Sequence, residues 1–431
     1  VPRTRRRFLA SLAGLASLGA CTRSPGSTSS ACPREPADAP AAASYAALAG
    51  ACAGVPAIAR DELEQRVERV RARMREHDVA ALIVEAGHDM QWLGGPQWGR
   101  SERALLLLVP REGDTTLLGP AFEAGTLAAR QGGLAHALEL WHEHEDPHAL
   151  ALALLGRTST SGTIVVGSDT RTFIVEGLRR VAPTRGFAGA DAIVEPLRRC
   201  KTPAELALLR RANEVTKRAI AAAATQARVG MHEHELADEV AAALRAAGLD
   251  DPWVLLLFGP NAAYPHGTPE GRTLAEGDMI LVDTGGFLHG YASDITRTWH
   301  FGEPRSLDAT RRDAWAALRA AQDAALALIE PGVACSEVDA AARAVLERAG
   351  FAPDYGHFTH RLGHGIGMQV HEPPYLVRGN AHRLEIGNTM SVEPGVYLPG
   401  EFGIRLEDIV AVGEAGAEVF GPLAGSPDSP D

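Results

Sequence analysis

His360-Arg361-Leu362-Gly363-His364-Gly365-Ile366-Gly367-Met368-Gln369-Val370-His371-Glu372 sets three imidazoles among closely spaced glycines. His364 has a glycine on either side, and glycine lets two backbones approach closely. Acids that could join it lie before and after. Asp283 ends the apolar run Met279-Ile280-Leu281-Val282. Asp294 lies in Ser293-Asp294-Ile295-Thr296-Arg297-Thr298, on a neighbouring stretch joined through Gly285-Gly286 as in a hairpin. Glu393 follows Ser391-Val392 and precedes Pro394-Gly395, and Glu407 follows Gly403-Ile404-Arg405-Leu406. A carboxylate at the end of a buried strand needs a partner, because burying a lone charge is expensive. Ionised, these four acids carry about four negative charges, more than a single zinc needs. Two divalent cations with bridging carboxylates would balance them. They would also lower the pKa of a shared water, making hydroxide at neutral pH, and polarise an attacked carbonyl. The oxygen-rich set favours Mn²⁺, with Co²⁺, Fe²⁺ or Zn²⁺ as alternatives.

The stretches around these residues carry a faint internal repeat. Arg228 to Leu249 holds Gly230, Glu235, Leu244, Ala247-Gly248 and Leu249; Glu330 to Phe351 holds Gly332, Glu337, Leu346, Ala349-Gly350 and Phe351 in the same register. Both read as a glycine turn, an amphipathic helix and a glycine C-cap. A duplicated α/β unit with a pseudo-two-fold axis and a cleft between its halves is expected. Thr202-Pro203-Ala204-Glu205 predicts a helix start upstream, running to about Gln226. A domain boundary is placed just before it, near Pro196.

From 58 to 195 helical and strand patterns alternate, which predicts a separate α/β domain. Leu63, Val67, Val70 and Met74 fall on one face of a helix. Val79–Val84, Leu105–Val109, Thr115–Leu118 and Thr163–Val166 read as strands, with helices near 121–131, 147–155 and 172–181. Trp141-His142-Glu143-His144-Glu145-Asp146 is read as a solvated acidic loop rather than a metal site.

The first residues read as an address. Thr4-Arg5-Arg6-Arg7-Phe8-Leu9 is a basic region running into an apolar stretch too short to span a membrane. It resembles a twin-arginine export signal, with Ala10 in place of the usual lysine. Leu18-Gly19-Ala20-Cys21 resembles a lipobox, so Cys21 is expected to carry lipid. A lipid-anchored protein on the periplasmic or extracytoplasmic face of the cell envelope is expected. Residues 22–57 are rich in Ala, Ser, Pro and Gly and read as a flexible tether; Cys32 and Cys52 could pair there. The organisation is thus a signal over 1–21, a tether over 22–57, domains over 58–195 and 196–420, and a tail over 421–431.

The chain has 431 residues, a length that suits two or three domains. It carries 54 acidic and 42 basic residues, a net charge of −12. Arg3, Arg5, Arg6 and Arg7 precede any acid, and 42 less those four leaves 38 basic residues against 54 in the body. Nucleic acid is excluded as a general partner, since a phosphate-binding surface needs a basic excess.

Residues 200–413 resemble the pita-bread metallopeptidases, the family of aminopeptidase P and prolidase. The segment from His360 to Glu372 fits that subfamily's signature at every constrained place. Val282-Asp283-Thr284-Gly285-Gly286, Val392-Glu393-Pro394-Gly395-Val396-Tyr397, Arg405-Leu406-Glu407-Asp408 and Pro265-His266-Gly267 also match. The first domain resembles the creatinase/prolidase N-terminal domain in outline. The resemblance implies an α/β (α+β) chain whose second domain has the pita-bread fold. It implies Asp283 on one metal, Asp294 and Glu407 as bridges, and His364 and Glu393 on the other metal. His266 and His371 would contact the substrate and the tetrahedral intermediate, and His360 would line the proline-side pocket. Arg405 would hold the carboxylates from outside, and Glu393 would pass a proton to the leaving nitrogen. Tyr397 and Glu372 read as structural. The implied activity is hydrolysis of the Xaa-Pro bond of proline-containing peptides. Another amidohydrolase or a metal-dependent lyase on the same scaffold, or a peptide-binding module without catalysis, are the alternatives. A homodimer is expected by analogy alone.

Overall fold

The computed structural model describes residues 45–130, 132–134, 136–157 and 162–431. The expected signal, Cys21 and Cys32 lie outside the described residues.

The first domain is built on the apolar strands expected of it. Helix α1 (Arg60–Glu76) buries Leu63, Val67, Val70 and Met74, the face its spacing predicts. Strand β1 (Val79–Glu85) is buried at every position. After α2 (His88–Trp92) come β2 (Leu106–Pro110), β3 (Thr116–Pro120), α3 (Ala124–Ala129) and β4 (Ala137–Trp141). Then follow α4 (Pro147–Gly156), β5 (Thr163–Val166), α5 (Thr172–Val181), β6 (Phe187–Gly189) and α6 (Asp191–Arg199). They form one mixed sheet in the order β4-β3-β2-β1-β5-β6. Sequence patterning does not predict the two edge strands. β4 is barely buried and β6 is three residues long, so neither has an apolar run to announce it. Residues 142–145 are exposed, as a solvated loop should be.

One segment differs from expectation. The end of the composition-based tether is packed, not free. Tyr45 and Leu48 are buried, the Tyr45 hydroxyl donates to Glu239 Oε2 at 2.6 Å, and Arg211 donates to the carbonyls of Ala51 and Ala53. Cys52 there is buried and free. The C-terminal tail is also tied down. Lys217 Nζ donates to the Pro422 carbonyl at 2.8 Å and the His300 N–H to that of Pro427 at 2.7 Å. In both stretches small residues and prolines hide contacts made through backbone carbonyls.

The second domain opens on α7 (Pro203–Ala224), whose capping box forms as read: Thr202 Oγ1 accepts from the Glu205 N–H and Glu205 Oε2 from the Thr202 N–H. Next come α8 (Glu233–Ala247), β7 (Asp250–Phe258), β8 (Met279–Leu288), β9 (Tyr291–Ala292) and β10 (Ile295–His300). The second half supplies α9 (Ala309–Leu328), α10 (Cys335–Arg348), β11 (Gly363–Gly365), β12 (Glu372–Leu376) and β13 (Thr389–Val392). It ends with β14 (Gly395–Leu398), β15 (Phe402–Arg405), β16 (Asp408–Gly413) and β17 (Gly416–Val419). One sheet runs β10-β8-β7 and the other β12-β11-β13-β16-β17.

The duplication is visible in the hydrogen bonds. The Gly230 N–H donates to Leu274 O at 2.8 Å and the Leu274 N–H returns to Met231 O at 2.8 Å. The Gly332 N–H donates to Leu384 O at 2.8 Å and the Leu384 N–H returns to Val333 O at 2.9 Å. Gly285 and Gly363 are a second matched pair. A Cβ at Gly285 would sit 1.8 Å from Ser293 O, and one at Gly363 would sit 1.9 Å from Ser391 O. Only glycine allows those backbones to close on each other. This also moves the expected turn: β8 runs on through Gly285-Gly286, and the chain reverses at His289-Gly290, both with positive φ.

Candidate active site

Each half brings its ligand-type side chains to the cleft on rigid elements. Asp283 lies inside β8, opposite Thr296 of β10. Asp294 sits in the break between β9 and β10, where Asn213 of α7 accepts from its N–H at 3.0 Å. His364 is on β11, Glu393 follows β13, and Glu407 bridges β15 and β16. One oxygen each of Asp283, Asp294 and Glu407 lie within 4.8 Å of one another. His364, Glu393 and Glu407 form a second such group, and Asp294, His364 and His371 a third. All five expected ligands therefore meet in one place.

The protonation pattern fits a cation. His364 Nδ1 donates to the Gly365 carbonyl at 3.1 Å. Its Nε2 lone pair then faces Glu393 Oε1 at 3.3 Å and Asp294 Oδ2 at 3.6 Å. Burial, then the neighbouring His371, push the His364 pKa down to about 3, so the imidazole is neutral. Burial also lifts Glu393 to about 8. Asp294 and Glu407 are raised well above the carboxylate range by burial and by the acids around them. Among the described residues Asp283 Oδ1 and Glu407 Oε1 are buried without a hydrogen-bond partner. Orphaned carboxylate oxygens facing a neutral imidazole are a donor set for divalent cations. The residues present fit two such ions.

The outer contacts hold these groups still. Thr296 Oγ1 donates to Glu407 Oε2 at 2.7 Å, and Arg405 Nε donates to Thr296 Oγ1 at 3.1 Å. Arg405 Nη2 binds Asp283 Oδ2. Arg405 Nη1 donates to the Tyr397 hydroxyl at 2.8 Å, and that hydroxyl lies 2.8 Å from His360 Nε2. His360 Nδ1 in turn meets the Arg361 carbonyl at 2.8 Å. Burial, reinforced by Arg405, lowers His360 to about 3, so it is neutral and accepts the Tyr397 proton. Tyr397, read as structural from sequence, is thus the link between Arg405 and His360. Its place in Val392-Glu393-Pro394-Gly395-Val396-Tyr397 was the available signal.

A cavity of about 550 Å³ opens over the carboxylates. His266, His360 and His371 line it, as expected of substrate contacts, and so do Trp253, Leu255, Val370 and Arg361, which sequence reading missed. The exposed His371 ring lies 3.9 Å from that of His364. Burial, then Arg361, lower its pKa.

Residues 207–414 match metallopeptidase family M24, and residues 66–200 match the creatinase/prolidase N-terminal domain. The probable dipeptidase PepE of Mycobacterium tuberculosis is 36% identical over 361 residues, covering 82% of this chain and 92% of that protein. The chain belongs to metallopeptidase family M24. The crystal structure of dipeptidase PepE from Mycobacterium ulcerans is 32% identical with a TM-score of 0.79, covering 86% of this chain and 99% of that one. Recombinant prolidase from Thermococcus sibiricus is 26% identical with a TM-score of 0.76, covering 84% and 97%. The M24 assignment makes the duplicated domain a pita-bread fold behind a creatinase-like domain. It also makes the chain a hydrolase of peptides, in a family that depends on divalent metal.

Proposed function

We propose that this M24 enzyme hydrolyses the Xaa-Pro peptide bond with two divalent cations, manganese foremost. The observation that carries the metal half is the pair of orphaned oxygens, Asp283 Oδ1 and Glu407 Oε1, in a nest of acids facing neutral His364. Asp283 would hold one ion, His364 and Glu393 the other, with Asp294 and Glu407 shared. When bound, the pair supplies an activated water and polarises the scissile carbonyl. His266 and His371, exposed at the cavity wall, would donate hydrogen bonds to the carbonyl oxygen as its charge grows. Glu393, held by Ser391 Oγ at 3.2 Å, would pass a proton to the proline nitrogen as it leaves. Neutral His360, fixed by Tyr397 and Arg361 O, would present one face to the proline ring. Proline's tertiary amide defeats general peptidases, so a dedicated pocket is chemically sensible. The names of the relatives, dipeptidase and prolidase, support this reading.

Purified protein with Mn²⁺ should release the N-terminal residue from Xaa-Pro substrates, and chelation should abolish release. Cleavage of other dipeptides with none of Xaa-Pro would overturn the proline assignment.

We propose also that the protein is exported by the twin-arginine route and anchored through lipid at Cys21. The support is the Arg5-Arg6 motif and Leu18-Gly19-Ala20-Cys21. Cys21→Ala should then move the protein from membranes to the soluble fraction. A wild-type protein that is already soluble and starts beyond Cys21 sinks the anchor.

A further inference from the structure

The cavity over the carboxylates is lined by two arginines, and they are in opposite states. Arg405 is spent: its nitrogens go to Asp283, Thr296, Tyr397 and the Pro265 carbonyl. Arg361 has no carboxylate within ion-pair distance and no hydrogen-bond acceptor for its guanidinium among the described residues. Its one partner is a ring. The Arg361 Cζ lies 4.5 Å from the centre of Tyr375. Stacking of that kind uses the face of the guanidinium and leaves the N–H donors on its edge unspent.

The arginine is also held in place. The His360 ring donates to the Arg361 carbonyl at 2.8 Å, and the Leu362 N–H donates to Leu376 O at 3.0 Å. Its platform, Tyr375 of β12, is paired with His364 across the β11–β12 ladder. One small sheet therefore fixes both the central imidazole and the free cation. A half-buried, immobilised guanidinium with unused donors has one obvious complement, a planar anion that can take two parallel N–H bonds.

Resting on the Xaa-Pro reading, we infer that Arg361 binds the C-terminal carboxylate of the substrate, so that this enzyme selects Xaa-Pro dipeptides over longer peptides. Arg361 follows His360 directly, and His360 is the residue assigned to the proline side of the cavity. In a dipeptide the carboxylate is carried by the proline itself, next to the scissile bond. In a longer peptide an uncharged amide stands in its place. The guanidinium can still donate to that amide carbonyl, but without the charge and without the second parallel bond. Discrimination is therefore a matter of degree, set by one charge-assisted contact.

The test compares kcat/KM of the metal-loaded enzyme for Ala-Pro, Ala-Pro amide and Ala-Pro-Ala. The expected preference for Ala-Pro is about tenfold or more, the worth of a hydrogen bond to a charged group. In R361Q the ratio of Ala-Pro to Ala-Pro amide should collapse towards one, mostly through KM for Ala-Pro. R361K, which keeps the charge and loses the fork, should fall between. A wild-type ratio near one, or an R361Q variant that slows all three substrates by the same factor, overturns the assignment and leaves Xaa-Pro hydrolysis standing. Cleavage of none of the three overturns the Xaa-Pro reading and this inference with it.

Discussion

Glu407 has a different task for each oxygen. Oε2 accepts from Thr296, and Oε1 is buried without a hydrogen-bond partner among the described residues. Glu407→Gln keeps the shape and the Thr296 contact but removes the charge. It should lose more than about 100-fold in activity, beyond what a merely supporting contact costs. Full activity in that variant would remove the need for a shared ion. Arg405→Lys cannot reach Asp283, Thr296 and Tyr397 together, and should cost about 10–100-fold in metal affinity or activity. Metal loading should also carry a proton signature. Burial holds Asp294, Glu407 and Glu393 protonated above the usual carboxylate range, Glu393 at about 8. Cations must displace those protons, so loading at pH 7 should release protons and tighten as pH rises towards 8. Calorimetry in buffers of different ionisation enthalpy reads this directly, and an enthalpy independent of buffer would contradict it. The five ligand-type residues were legible in the sequence because their chemistry is in their identity. Thr296, Asn213 and Arg361 were not, because a hydroxyl, an amide or a guanidinium gains its role only from what the fold places beside it.

At the scale of elements, the start of α7 shows local grammar and long-range structure meeting in one residue. Thr202 and Glu205 cap the helix, which the sequence announces. What it does not announce is that Glu205 Oε1 also accepts from Trp92 Nε1 at 3.1 Å and from the Tyr291 hydroxyl at 2.9 Å, and lies 3.3 Å from the buried guanidinium of Arg66. One carboxylate thus closes a helix and joins α1 and α2 of the first domain to β9 of the second. Thr202→Ala removes one cap together with the hydroxyl's 2.7 Å bond to Glu62, and should cost about 1–2 kcal/mol. Glu205→Ala takes the acceptor from Trp92 and Tyr291 and leaves buried Arg66 with Glu62 as its carboxylate partner, and should cost about 3 kcal/mol, read as the shift in a denaturation midpoint. Equal costs for the two variants would mean that Glu205's contacts with Trp92, Tyr291 and Arg66 add nothing. The same contrast explains the misplaced turn in β8. Gly285-Gly286 looks like a hairpin turn by composition. The glycines serve instead to let Ser293 O close on β8, an approach that no local rule encodes.

For the whole molecule, the cleft is where two similar halves press like charges together. Asp283 and Asp294 come from the first half, Glu393 and Glu407 from the second. Beneath them Asp408 binds Arg297 at 2.8 Å and Lys217 at 2.6 Å and accepts from Gln322 at 3.0 Å, which ties α7, β10 and α9 to β16. The faint repeat in the sequence therefore foretold the architecture. It could not foretell that the halves repel at the site and hold each other just below it. That arrangement sets the pH response. In the metal-free protein the folded state keeps protons on Glu393 between its ordinary value of 4.5 and about 8, where the unfolded chain has lost them. Asp294 and Glu407 shift in the same direction. A folded state that binds more protons loses stability as pH rises, so the chelated protein should melt at progressively lower temperature from pH 5 to about 8. Divalent cations replace the protons and bind only the folded cleft, so the loaded protein should not follow that fall. The gap between loaded and chelated melting temperatures should widen with pH. A gap that narrows instead would mean that the acids are ionised in the empty cleft, held by contacts other than protons.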